Sequence, residues 1–134
     1  MLIRQEADMV QFGVDYASSL RAPVAIELVG DVGVGKTTFV RGLARGLGVS
    51  EPISSPSFTI SRTYQGKDYR LCHYDFYRLS EPGLMAEDLR ESLADQDTIT
   101  VVEWGSTLDD VLPKNRTTIT ITLNDDESRE VTVR

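Results

Sequence analysis

A chain of 134 residues that is 40% hydrophobic has the size and apolar content of one domain with one sizeable core, so a single domain over residues 1–134 is expected. Its 21 acidic residues against 14 basic ones, a formal charge of −7, work against unaided binding to RNA, DNA or an anionic membrane, so any anion must be met locally. One cysteine, Cys72, excludes an internal disulfide and reads as a small buried side chain, and the longest apolar stretch, Ala22 to Val29, is interrupted by Glu27 and too short to span a bilayer; a reducing, cytoplasmic setting is expected.

In chain order, Met9, Val10, Tyr16, Ala17 and Leu20 recur at roughly helical spacing and predict an amphipathic helix over Glu6 to Leu20, weakened by Gly13 and broken at Arg21-Ala22-Pro23. Val24 to Val29 is short, branched and apolar, as a buried strand of a parallel sheet is, with Glu27 as its one blemish. After a glycine-rich loop, Phe39, Val40, Leu43, Ala44 and Leu47 line one helix face, and Gly48 supplies the stop. Ser54 to Thr59 is polar and carries Pro56, so it reads as an exposed loop leading into a strand over Thr59 to Tyr64. Gln65 to Asp68 predicts a turn and Tyr69 to Asp75 the returning strand of an antiparallel hairpin.

Ser80-Glu81-Pro82 suits a helix start, with Met85, Leu89 and Leu93 on one face, followed by a second buried strand over Thr98 to Val102. The tail alternates from Thr118 to Leu123, turns through Asn124 to Glu127, and returns over Arg129 to Val133 as an antiparallel pair. No repeat, low-complexity tract or linker interrupts the order. The fold class that follows is α/β, a central mixed β-sheet flanked by helices, and the glycine loop taken up next makes it a P-loop NTPase-like sandwich.

The chemistry concentrates in Gly30-Asp31-Val32-Gly33-Val34-Gly35-Lys36-Thr37, a glycine, four residues, then Gly-Lys-Thr, set between a buried strand and a helix. Glycines let successive backbone N–H groups turn inward around the β- and γ-phosphates, and the following helix adds its positive end. Lys36 brings a mobile point charge to those phosphates, and the Thr37 hydroxyl suits a magnesium ion bridging them. Thr38 is either an α-phosphate contact or an ordinary helix residue. A merely structural glycine turn leaves the Lys-Thr pair unexplained. The reading is a magnesium-dependent ATPase.

Such a site needs a carboxylate at the end of a neighbouring strand. Glu103, ending Ile99 to Val102, is the first choice for magnesium; Asp75, ending Leu71 to Tyr74, is the second and would orient the attacking water or a metal-bound water. For each, the plain alternative is a solvated carboxylate. His73, the one histidine, reads as packed or hydrogen-bonded rather than as a general base, because P-loop catalysis is mostly positioning and charge stabilisation. Trp104 either walls the nucleotide site or packs at an edge, and Arg78 either reaches a phosphate or pairs with a surface acid.

The strings at 30–42 (GDVGVGKTTFVRG), 55–59 (SPSFT), 73–79 (HYDFYRL) and 102–104 (VEW) together resemble the TsaE family, in order and spacing over nearly the whole chain. That resemblance implies a weak intrinsic ATPase of tRNA threonylcarbamoyladenosine biosynthesis, acting with TsaB and TsaD partners and meeting tRNA only through the complex, with hydrolysis resetting the complex between turnovers. By residue it implies phosphate binding at Gly33, Val34, Gly35, Lys36, Thr37 and Thr38. Magnesium falls to Thr37 and Glu103, a catalytic acid to Asp75, and a switch-like loop to Ser55–Thr59, with adenine contacts near Gln5 and Val131. Ser57, where threonine is common, and the stretch Leu84 to Leu93 depart from the family pattern, away from the phosphate chemistry. Two other readings stand beside it: a small-molecule P-loop kinase, disfavoured because no arginine-dense lid follows Gly48, and a nucleotide-gated binding subunit in which turnover is incidental. A GTPase is disfavoured because no Asn-Lys-x-Asp stretch is present.

Overall fold

The computed structural model describes residues 1–54, 60–77, 85–104 and 108–134. The expected loop at Ser55–Thr59, the helix start at Ser80-Glu81-Pro82 and Arg78 lie outside them. The elements run β1 (Leu2–Ile3), α1 (Glu6–Ala17), β2 (Val24–Val29), α2 (Lys36–Gly46), β3 (Ser61–Gln65), β4 (Arg70–Asp75), α3 (Ala86–Ala94), β5 (Thr98–Glu103), β6 (Thr117–Leu123) and β7 (Arg129–Val133). The seven strands form one sheet in the order β1-β7-β6-β2-β5-β4-β3. Its middle, β6-β2-β5-β4, is parallel, and β1, β7 and β3 join antiparallel at the two edges. The expected mixed α/β sheet is what forms.

Strand alternation sorts the core into two layers. Ile26 and Leu28 of β2, Leu71 of β4, Ile99 and Val101 of β5, and Ile119 and Ile121 of β6 pack in one cluster with Phe39, Val40 and Leu43 of α2 and Met9 and Ala17 of α1. Cys72, Tyr74 and Val102, one residue out of phase, join Leu89 of α3 in the second. Tyr74 also donates its hydroxyl to Asp88 Oδ2 at 3.0 Å, tying β4 to α3. The free Cys72 is buried, as its apolar setting predicts.

Gly13, which weakens α1 by propensity, has a packing reason. A Cβ there would sit 2.6 Å from the Phe39 carbonyl oxygen, and one at Gly42 would sit 2.1 Å from that of Val10. The two helices cross too closely for side chains at those points, so the propensity cost of about 1 kcal/mol for each glycine is set against closer packing. At the end of α2, Gly48 takes φ +82°, and the N–H groups of Gly48 and Val49 donate to Arg45 and Ala44 carbonyls at 3.1 and 3.0 Å. This is the left-handed stop that closes a helix by satisfying its last carbonyls.

Where the expected boundaries shift, local capping or tertiary pairing is the cause. α1 ends at Ala17 rather than Leu20, with Ser18 and Ser19 side chains donating back to Asp15 and Tyr16 carbonyls and Leu20 packed on the core outside the helix. β1 is not foreseen: two residues pair with β7, an alignment that local pattern does not encode. β5 runs one residue further, through Glu103, because β2 and β4 pair with it to its end. Glu27, the blemish in β2, points away from α2 and accepts from Arg116 Nε at 3.0 Å. Among the described residues, no helix is long and apolar enough to cross a membrane.

Candidate functional site

β2 ends at Val29 and the chain enters the glycine loop, which feeds directly into α2 at Lys36. Gly33 and Gly35 have φ +85° and +113°, left-handed values that side chains resist. Gly35 stands at the N-cap of α2 with no side-chain cap, and the first turn of α2 has no acidic residue. The helix therefore presents N–H groups and its positive end to the loop without an internal anion to consume them. Gly30 is needed for space: a Cβ there would lie 2.6 Å from the Ile121 carbonyl oxygen.

Two carboxylates reach this loop through the period of two along a strand. Leu71, His73 and Asp75 share the α2 side of β4, and Ile99, Val101 and Glu103 share the α2 side of β5. Parallel register sets Asp75 opposite Glu103, at the carboxyl ends of neighbouring strands. Both are buried, Asp75 at 7% exposed and Glu103 at 3%. Lys36, also 7% exposed, places Nζ 3.7 Å from Glu103 Oε1 and donates to the Gly30 carbonyl at 2.5 Å. The other Glu103 oxygen accepts from His73 Nε2 at 2.5 Å, and His73 is fully buried. Histidine thus supports a carboxylate rather than facing the cleft.

Trp104 follows Glu103 with φ +58°, which breaks the strand and turns the indole back over the lysine, Nζ lying 4.3 Å from the ring centroid. Tyr77 packs on the same indole, ring centroids 4.8 Å apart. The Tyr77 N–H in turn donates to Asp75 Oδ1 at 3.0 Å. A cleft of about 250 Å³ opens here, lined by Gly33, Gly35, Lys36, Thr37, Thr38, Asp75, Glu103 and Trp104 among others. The expected site residues come together there, with one difference in kind: Val34 is buried in the core and offers only its backbone.

A second cleft, about 240 Å³, lies on the other side of the loop, between Arg4, Gln5 and Glu6 at the start of α1, Gly33 to Gly35, Thr38 and Arg129. Gln5, expected near the adenine, lines this cleft. Val131 does not: it is buried at 3% exposed within the core. Arg129, two residues earlier on β7, stands at the cleft instead. Arg129, Tyr77 and the Gly30 carbonyl are the parts of this site whose roles sequence reasoning missed: Tyr77 and Gly30 lie inside the quoted strings with no pattern to show their contacts, and Arg129, 95 residues from Val34, leaves no local signal. Only the tryptophan beside Glu103 hinted at an aromatic wall.

Chemically, the arrangement offers the uncapped backbone N–H groups at the start of α2, one lysine, one threonine hydroxyl and two buried carboxylates. Among the described residues, no group of three or more His, Cys, Asp or Glu side chains gathers as a metal cage. Hard oxygen donors in ones and twos suit magnesium, which keeps several waters and takes its remaining ligands from phosphate.

A sequence profile of the family described as "Threonylcarbamoyl adenosine biosynthesis protein TsaE" matches residues 3–131. The tRNA threonylcarbamoyladenosine biosynthesis protein TsaE of Streptomyces coelicolor is 40% identical over 131 residues, covering 93% of this chain and 88% of that protein. The protein of the same name from Treponema pallidum is 35% identical over 134 residues, covering 97% and 96%. The crystal structure of Bacillus subtilis YdiB is similar at a TM-score of 0.83 and 28% identity, over 99% of this chain and 82% of that one.

Proposed function

The chain belongs to the TsaE family of threonylcarbamoyl adenosine biosynthesis proteins, and on that premise we propose that it is the magnesium-dependent, ATP-hydrolysing component of tRNA threonylcarbamoyladenosine formation, acting with TsaB- and TsaD-type partners. The observation that carries the reading is the meeting of Lys36 and Glu103, 3.7 Å apart at the mouth of the glycine loop. Burial of a lysine and a carboxylate is costly unless something offsets it. A site that receives a polyanion and its counter-ion is such a reason.

The residues divide the work by position. Gly33 to Thr38 supply backbone N–H groups to the phosphate chain, and Lys36 exchanges Gly30 and Glu103 for phosphate oxygens. Thr37 and Glu103 would hold magnesium, which when bound neutralises charge developing on the phosphates. Asp75, fixed by the Tyr77 N–H, is placed to orient a water molecule. Trp104 and Tyr77 wall the cleft and limit water access from one side. Slow turnover in isolation and acceleration on assembly are what the family resemblance implies, and chemistry that rests on positioning and charge stabilisation is compatible with both. In this reading hydrolysis resets the partner complex, and tRNA is met only through it.

Calorimetry with ATP and magnesium, followed by hydrolysis assays with and without the partner proteins, tests the reading. Expected are binding that Lys36→Ala abolishes, nucleotide-dependent association with the partners, and partner-stimulated turnover that Glu103→Ala removes. No heat with any nucleoside triphosphate would sink the ATP-binding reading. Binding without turnover in either setting would leave a nucleotide-gated subunit.

A further inference from the structure

Arg129 stands 95 residues from Val34 in sequence, yet its Nε donates to the Val34 carbonyl at 3.2 Å and one terminal nitrogen reaches the Gly33 carbonyl at 3.5 Å. The other terminal nitrogen donates to the Glu127 carbonyl at 2.6 Å, which anchors the guanidinium to its own hairpin. All three nitrogens are therefore spent on backbone oxygens, two of them in the phosphate loop. In a planar trans peptide the C=O and the following N–H point in opposite directions. Drawing the Gly33 and Val34 carbonyls toward β7 turns the N–H groups of Val34 and Gly35 the other way. The Val34 N–H closes on Asp31 O at 3.4 Å, a long bond that a charged phosphate oxygen outcompetes.

The loop has reason to need an external tie. Its glycines at 33 and 35 hold φ +85° and +113°, and glycine has many other conformations to relax into. A rigid, always charged fork that reaches two successive carbonyls selects one of them, which a lysine ammonium cannot do with the same geometry.

We propose that Arg129 is a positioning residue that clamps the phosphate loop from its outer side and so sets affinity for the phosphate chain, whatever nucleoside is attached. This rests on the nucleotide-binding reading above. The test is calorimetry of wild type, Arg129→Gln and Arg129→Lys with ATP and with inorganic tripolyphosphate, each with magnesium, beside the thermal midpoint of each ligand-free protein. Both variants are expected to bind both ligands about tenfold more weakly, with ligand-free midpoints within about 3 °C of wild type. Wild-type affinity in Arg129→Gln overturns the clamp. So does loss confined to ATP with tripolyphosphate unchanged, which would place the guanidinium on the nucleoside, and so does full recovery in Arg129→Lys, which would reduce the effect to charge. Wild-type protein that binds neither ligand removes the nucleotide reading and the clamp with it, whereas wild-type binding with unaltered variants removes the clamp alone.

Discussion

Two carboxylates on adjacent parallel strands, Glu27 of β2 and Glu103 of β5, each sit beside a cation, and they do different work. Glu27 lies on the face of the sheet away from α2 and accepts from Arg116 Nε at 3.0 Å and from the Thr118 hydroxyl at 3.5 Å. Arg116 also bonds the Pro113 carbonyl and Asp109, and the hydrogen bond to Glu27 is the first cause holding its guanidinium above its ordinary pKa, against the effect of burial. Those partners occupy the Glu27 carboxylate within the fold, on a face where it also lines a cleft of about 600 Å³. Glu103 lies on the α2 face at the very end of its strand, bonded to buried His73 and 3.7 Å from a lysine with a glycine loop and an aromatic wall around it. Its group is open to a cleft. Composition is similar in the two, so strand face and strand end separate an ion pair that braces the fold from one beside the glycine loop, which the proposed function assigns to a ligand.

The contrast is sharpest under substitution. Glu103→Gln keeps the side chain's shape but removes the charge that the proposed function assigns to magnesium, and turnover is expected to fall about 100-fold or more, roughly 2.7 kcal/mol, in a partner-stimulated hydrolysis assay. Arg116→Ala does the reverse: Glu27 and the Pro113 carbonyl lose their partner in a half-buried setting. Stability by urea titration should drop by about 1–3 kcal/mol while turnover below the transition stays near wild type. A large loss of activity in Arg116→Ala with stability intact would erase the distinction.

His73→Asn probes the support behind Glu103. Removing the Nε2 bond frees the carboxylate to leave its position, and the magnesium concentration for half-maximal turnover should rise about tenfold, with little change in turnover at saturating magnesium. An unchanged magnesium dependence would make His73 mere packing. The smallest effect belongs to Arg41 and Glu6, an exposed pair at 3.4 Å joining α2 to α1. Glu6→Ala should move stability by no more than about 0.5 kcal/mol.

The glycine loop was legible because it is contiguous: eight consecutive residues carry the turn, the charge and the hydroxyl. The strand-end acids were legible because each closes an apolar run at the point where a buried strand must stop. Glu27 looked like an error in β2 because its partner, Arg116, is 89 residues away. Arg129 gave no sign at all, since an arginine opening an alternating strand reads as a solvated edge residue. β1 escaped for the same reason: two residues have no period, and only the hairpin they join makes them a strand.

Local pattern by itself therefore determined the order of helices and strands from α1 onward, the α/β class, the glycine loop between β2 and α2, and Asp75 and Glu103 as strand-end acids, because each is written in neighbouring residues or in a repeat of two or three to four. Only the tertiary structure decided which carboxylate faces which side, that His73 braces Glu103, and that Arg129 reaches the loop from β7. Those depend on strand order and register, which bring together residues from distant parts of the chain.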